Sequence, residues 1–121
     1  MFCKSLEQEY IQFGYNSIFI NTGKDMEISM KEVREEIDLI DRELVLLLAR
    51  RQKCVEMAAA VKNDKDLIID KERIEEVISK VTQFGDSCGL HKEISEPLWR
   101  KLIDLSIEHE FKELENIQSF N

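Results

Sequence analysis

Between Glu27 and Asn63 the sequence contains neither glycine nor proline, and its apolar residues recur at helical period. Ile37, Ile40, Leu44, Leu47, Leu48, Val55, Ala58 and Val61 fall on one broad stripe. A helix of roughly 35 residues is about 50 Å long, longer than a compact domain of about 100 residues is wide. Much of that stripe therefore cannot be covered by its own chain. Two copies packing their long helices together is the economical solution.

The remainder reads as two shorter helices. Asn63 to Ile69 breaks the pattern, and Asp70 stands as an N-cap for a helix from Lys71 to Phe84, with Ile74, Val77, Ile78 and Val81 on its apolar face. Gly85 and Gly89 end it and make the turn. A third helix runs from Ser95 to Glu115, with Pro97 tolerated in its first turn. Leu98, Trp99, Leu102, Ile103, Ile107 and Phe111 form its core face. With 4 Gly and 1 Pro among 121 residues, the chain lacks the turn residues that a sandwich or barrel needs. The fold class expected is all-α, three helices per subunit, one long and two shorter. Residues 1–25 differ, with Tyr10, Phe13, Gly14, Tyr15, Phe19 and Gly23 clustered; they read as an N-terminal arm, poorly ordered, attached to a single domain over 26–121.

The net charge of −8 argues against nucleic acid as a partner, because phosphate binding needs a basic surface. It also requires that any anionic ligand be held by a local group of cations. Cys3, Cys54 and Cys88 are odd in number and form no CxxC pair, so neither a disulfide framework nor a zinc site is expected, and a reducing, cytoplasmic setting fits. His91 and His109 stand alone and read as surface or capping residues. No apolar run reaches the ~20 residues of a membrane helix, so no membrane partner is expected. Met1 to Ser5 lead into Glu7 and Glu9 rather than an apolar stretch, so no signal peptide is expected.

The informative residues break the binary pattern. Arg51 sits on the inner stripe, among Leu47, Leu48 and Val55, and Lys62 follows eleven residues later. At 100° per residue, eleven residues make three turns plus about 20°, so both cations project from one face, about 16 Å apart along the axis. Buried cations need anionic partners, and a small polycarboxylate would serve. Arg34 lies seventeen residues before Arg51, about 25 Å along the axis; it reaches such a pocket more easily in a partner's chain than in its own. On the third helix Ser106 and Glu110 are spaced i and i+4 and extend the line of Trp99 and Ile103. Lys71 and Glu72 follow the cap residue Asp70 at the start of the second helix. Each residue also has an ordinary reading: ion pairing on a charged helix for Arg51, dipole compensation for Lys62 and Glu72, back-bonding for Ser106, and a surface position for Glu110.

Several separated motifs, in order, resemble the AroQ-type chorismate mutases. V-R-E-E-I-D-L-I-D-R-E-L-V-L-L-L-A-R-R at 33–51 fits the family pattern R-x2-I-x2-I/L-D-x2-L-x2-L-L-x2-R. V-K at 61–62, D-K-E-R at 70–73 and W-R-K-L-I-D-L-S-I-E-H-E at 99–110 follow. The resemblance covers about residues 27–115. It implies an intertwined homodimer with two active sites, each drawing on both chains, and rearrangement of chorismate to prephenate with no cofactor and no metal. Carried onto matching positions, Arg34 from the partner and Arg51 in cis bind substrate carboxylates. Lys62 binds the ether oxygen and a carboxylate. Glu72 accepts from the ring hydroxyl, with Ile68 and Lys71 alongside in the substrate-binding set. Ser106 lies at the ring carboxylate, and Glu110 faces the ether oxygen.

The chain also departs from the family pattern. Many bacterial members have Gln where this chain has Glu110, and others, fungal enzymes among them, have Glu. A carboxylate would repel charge developing on the ether oxygen, so Glu110 is expected to work protonated. Lys71 stands where the bacterial prototype has Arg, which removes a bidentate contact. The short linker from Lys62 to Glu72 is similar to that of the family's isochorismate–pyruvate lyases, and the last helix to that of aminodeoxychorismate mutases. A non-catalytic helical dimer that binds a partner protein is the alternative of another class.

Overall fold

The computed structural model describes residues 27–120, so the arm expected over residues 1–25 lies outside the described residues. Three helices follow in order: α1 (Met30–Lys62), α2 (Lys71–Ser87) and α3 (Lys92–Ser119), with a single 3-10 turn at Lys65–Leu67 between the first two. No strand occurs among the described residues, as the all-α expectation required.

Local chemistry sets each boundary. At the start of α1, Ser29 Oγ accepts from the Glu32 N–H at 3.2 Å, and Glu32 Oε2 accepts from the Ser29 N–H at 3.0 Å. This reciprocal pair satisfies two otherwise orphaned donors. The helix ends where Asn63 turns left-handed (φ 47), a conformation that asparagine tolerates better than most side chains. Asp64 then caps the 3-10 turn through the Asp66 N–H, and Asp70 caps α2 through the Arg73 N–H at 3.0 Å.

The end of α2 corrects one sequence boundary. Gly85 lies inside the helix, and the reversal belongs to Gly89, at φ 84. The Leu90 N–H donates to the Gly85 carbonyl at 2.8 Å, and the Gly89 N–H to the Asp86 carbonyl at 3.1 Å. This paired closure uses a left-handed residue just past the helix. A Cβ at Gly89 would touch nothing within 4 Å, so the cost of Gly89→Ala is purely conformational. Urea denaturation is expected to show a loss of about 1 kcal/mol for that variant.

Helix α3 starts earlier than its sequence pattern implies, at Lys92, and runs on to Ser119. Pro97 therefore sits in the second turn, not the first. The carbonyl it leaves without a helical donor is that of Glu93, an exposed residue open to water.

The chain divides into two compact units, residues 1–47 and 48–121. In the first, the described residues amount to the N-terminal part of α1. Ile37, Leu39, Leu44, Val45, Leu46 and Leu47 there are 49–67% exposed, an uncovered apolar surface of the kind the stripe foretold. In the second unit, Ala59, Ile68 and Leu114 are buried together, with Ile107, Phe111 and Ile117 packed against them. Ala59, not one of the stripe residues named above, is the buried residue of α1; Val61 is 85% exposed. Arg100 of α3 reaches Glu75 of α2 at 3.1 Å and Glu96 at 3.3 Å. These exposed pairs orient the helices more than they stabilise them.

Cys54 is a free thiol, whereas Cys88 is disulfide-bonded. An odd count excludes complete pairing but not one bridge, and a single bridge is not the disulfide framework that the sequence argues against. Among the described residues, no helix is long and apolar enough to cross a membrane.

Candidate active site

Within the second unit, α1, the linker, α2 and α3 enclose an open cleft of about 310 Å³, within the range of small-molecule sites. Its walls are largely apolar, including Val55 and Ala58 of α1, Ile74 and Val77 of α2, and Ile103 and Ile107 of α3. Polar groups converge on it from α1 and α3, and from the start of α2.

Arg51 and Lys62 both line the cleft from α1, and Ser106 and Glu110 from α3. They meet in two rungs. In the first, Arg51 Nη1 donates to Ser106 Oγ at 2.6 Å, and that hydroxyl donates onward to the Leu102 carbonyl at 2.7 Å. In the second, Lys62 Nζ is paired with Glu110 Oε1 at 2.9 Å and also donates to the Ile68 carbonyl at 3.4 Å. The cations are separated by eleven residues and the oxygen groups by four, so the long basic side chains close the difference. Ile68 contributes twice. Its side chain is buried in the core, anchoring the linker, and its carbonyl steadies Lys62.

The two rungs differ electrically. Glu110, with its side chain only 8% exposed, compensates Lys62. Arg51 makes no ion pair among the described residues; the partner recorded for it is a neutral hydroxyl. Burial pulls the Arg51 guanidinium below its ordinary pKa, opposed by the neighbouring Cys54, yet a guanidinium stays charged at any physiological pH. A half-buried, permanently charged fork with a neutral partner has the chemistry to take an incoming carboxylate.

The other sequence candidates lie elsewhere. Lys71 and Glu72 are exposed and do not line the cleft of the single chain; Asp70 and Arg73 do. Arg73 is held at 2.8 Å by Glu76, whose carboxyl is pushed down to about 2 by Lys80 and Arg73 together. Sequence reasoning missed Arg73, although its position four residues before Val77 puts it on the apolar face of α2. Arg34 is exposed and belongs to the first unit.

No curated protein and no solved structure matches the chain. A family model described as chorismate mutase type II matches residues 33–111, a span that includes every candidate residue from Arg34 to Glu110.

Proposed function

The chain belongs to the chorismate mutase type II family, and from that premise we propose that it converts chorismate to prephenate as an intertwined homodimer, serving aromatic amino-acid synthesis. One observation carries the reading: a half-buried Arg51 with no carboxylate partner among the described residues shares a cleft with a Lys62–Glu110 pair. The substrate is a dicarboxylate with an ether oxygen. Arg51, and Arg34 of the second copy, bind its carboxylates, while Lys62 and Glu110 flank the ether. Lys71 and Glu72 complete the set around the ring hydroxyl once substrate and the second copy are in place. The exposed Leu44–Leu48 run supports the dimer, since an apolar surface of that kind marks an interface.

The reaction is internal to one molecule: a carbon–carbon bond forms as the carbon–oxygen ether bond breaks. Holding the folded, diaxial substrate lowers the barrier by positioning. Negative charge grows on the ether oxygen in the transition state, and an ammonium fixed there stabilises it. The same logic assigns a protonation state to Glu110. Ionised, it would oppose the growing charge and compete for Lys62; protonated, it donates a hydrogen bond. Glu110→Gln, whose amide donates without a bound proton to lose, should therefore keep kcat/KM near the parental value. A Gln variant that loses most of its turnover would overturn the assignment.

Ser106→Ala tests the other rung. Without the hydroxyl, Arg51 loses its fixed partner and its geometry. KM is expected to rise about tenfold, with kcat less affected, because one hydrogen bond to a charged group is worth about 1.5 kcal/mol. Equal loss in kcat and kcat/KM would place Ser106 at the reacting atoms instead.

The deciding assay supplies purified protein with chorismate and, separately, isochorismate, resolving prephenate, salicylate and pyruvate. Prephenate supports the mutase. Salicylate and pyruvate from isochorismate, with little prephenate, would transfer the reading to the lyase branch. Inactivity with both leads to the amino analogue, and then to the non-catalytic dimer.

A further inference from the structure

A second group of chemically competent side chains stands outside the cleft's two rungs. Glu56 projects from α1, and His109 and Glu113, spaced i and i+4, from α3. One ligand-capable atom from each lies within 4.8 Å of the others. Glu56 Oε2 and His109 Nε2 face each other at 3.5 Å, an ion pair whenever the imidazole is protonated; both atoms are shielded from solvent, and neither has a well-formed hydrogen bond among the described residues. Lys53 engages the opposite oxygen of the same carboxylate, Oε1, at 3.6 Å, and leaves Oε2 to face the imidazole. Apart from their long approach to each other, neither shielded atom has a partner among the described residues, and an ion held between them would satisfy both.

We propose that Glu56, His109 and Glu113 form a binding site for a divalent transition-metal ion of the zinc class, tying α1 to α3. The site does not depend on the mutase reading. Its donor set selects the ion: an imidazole nitrogen with carboxylates suits zinc, cobalt or nickel, whereas magnesium and calcium prefer oxygen alone. The distances fit with one adjustment. Ligand atoms about 2.1 Å from a tetrahedral ion are about 3.4 Å from one another. Glu56 and His109 already stand at that separation, and the Glu113 side chain, half-buried and flexible, closes the remainder by changing rotamer. The fourth position stays open to water. Burial tends to raise the Glu56 pKa, but the nearby His109 and Lys53 outweigh it and hold the carboxyl below its ordinary range, ready to ligate as an anion.

This location gives the ion a structural consequence. His109 is the neighbour of Glu110, and it lines a small groove with Arg51 and Ser106. Occupancy would lock the faces of α1 and α3 that carry both rungs.

The test uses the full chain, freed of metal by chelator and titrated with zinc chloride by calorimetry and with cobalt chloride by visible absorption. One ion per chain is expected, with cobalt bands characteristic of mixed nitrogen and oxygen ligation, displaced by zinc but not by magnesium. His109→Ala and Glu113→Gln should each weaken binding at least tenfold, since even outer partners of a metal site contribute about 10–100-fold. Glu113→Gln keeps its size on a partly exposed helix position, so helical circular dichroism should match the parent and binding loss can be read directly. His91→Ala, Cys54→Ser and Glu115→Gln should bind as the parent does. No zinc binding, or binding that survives His109→Ala and Glu113→Gln, overturns the proposal. So does binding that is lost in His91→Ala or Cys54→Ser.

Discussion

Lys62→Ala is expected to lower kcat/KM for chorismate by about 10³-fold, with helical content and subunit assembly retained. The magnitude is that of removing a preorganised donor aimed at developing charge. The same substitution does a second thing. Glu110 is buried and paired with Lys62 at 2.9 Å, so deleting the ammonium leaves an uncompensated carboxylate, and stability should fall by about 1–3 kcal/mol. The two effects separate in a double variant. Lys62→Ala with Glu110→Gln removes the orphaned charge and should recover most of the stability, while turnover stays lost. Recovery of both together would mean that Lys62 acts through folding alone. Near-parental turnover in Lys62→Ala would remove the catalytic reading and favour the non-catalytic dimer. Lys62→Arg offers only partial rescue, because a planar guanidinium cannot reproduce a point charge in the same space.

Much of this site was readable because helical period converts spacing into direction. Eleven residues from Arg51 to Lys62, and four from Ser106 to Glu110, each return a side chain to one face. The structure brings those two faces together in one cleft. Asp70 was readable as a cap because a short acidic side chain before an apolar run has few other uses. What spacing could not supply was the register of one helix against another. Glu56 is distant in sequence from His109 and Glu113, and only the packing of α1 on α3 makes them neighbours; His109 therefore read as solitary. The choice among Asp70, Lys71, Glu72 and Arg73 turned on the rotation of α2 about its axis, which one boundary residue alters by 100°. Gly85 and Gly89 looked alike as terminators. Only the dihedral angles show that Gly89 supplies the positive φ.

The reach of Arg34 yields the second large effect. In the proposed dimer each pocket takes Arg51 from one chain and Arg34 from the other. Arg34→Ala and Arg51→Ala homodimers should each lose turnover by about 10²-fold or more, because a buried substrate carboxylate is left without its charged partner. Mixing the two inactive proteins and exchanging subunits by unfolding and refolding should restore activity. A mixed dimer holds one pocket with both substitutions and one with neither. Random assembly makes half the dimers mixed, so recovery should approach about a quarter of the parental rate. If Arg34 acted in its own chain, every pocket of every dimer would carry one substitution, and mixing would restore nothing. The exchange thus tests the shared pocket and the second copy at once. It asks for no structure of the dimer, and it is insensitive to whether either single variant is slightly destabilised, since the refolded homodimers serve as their own controls.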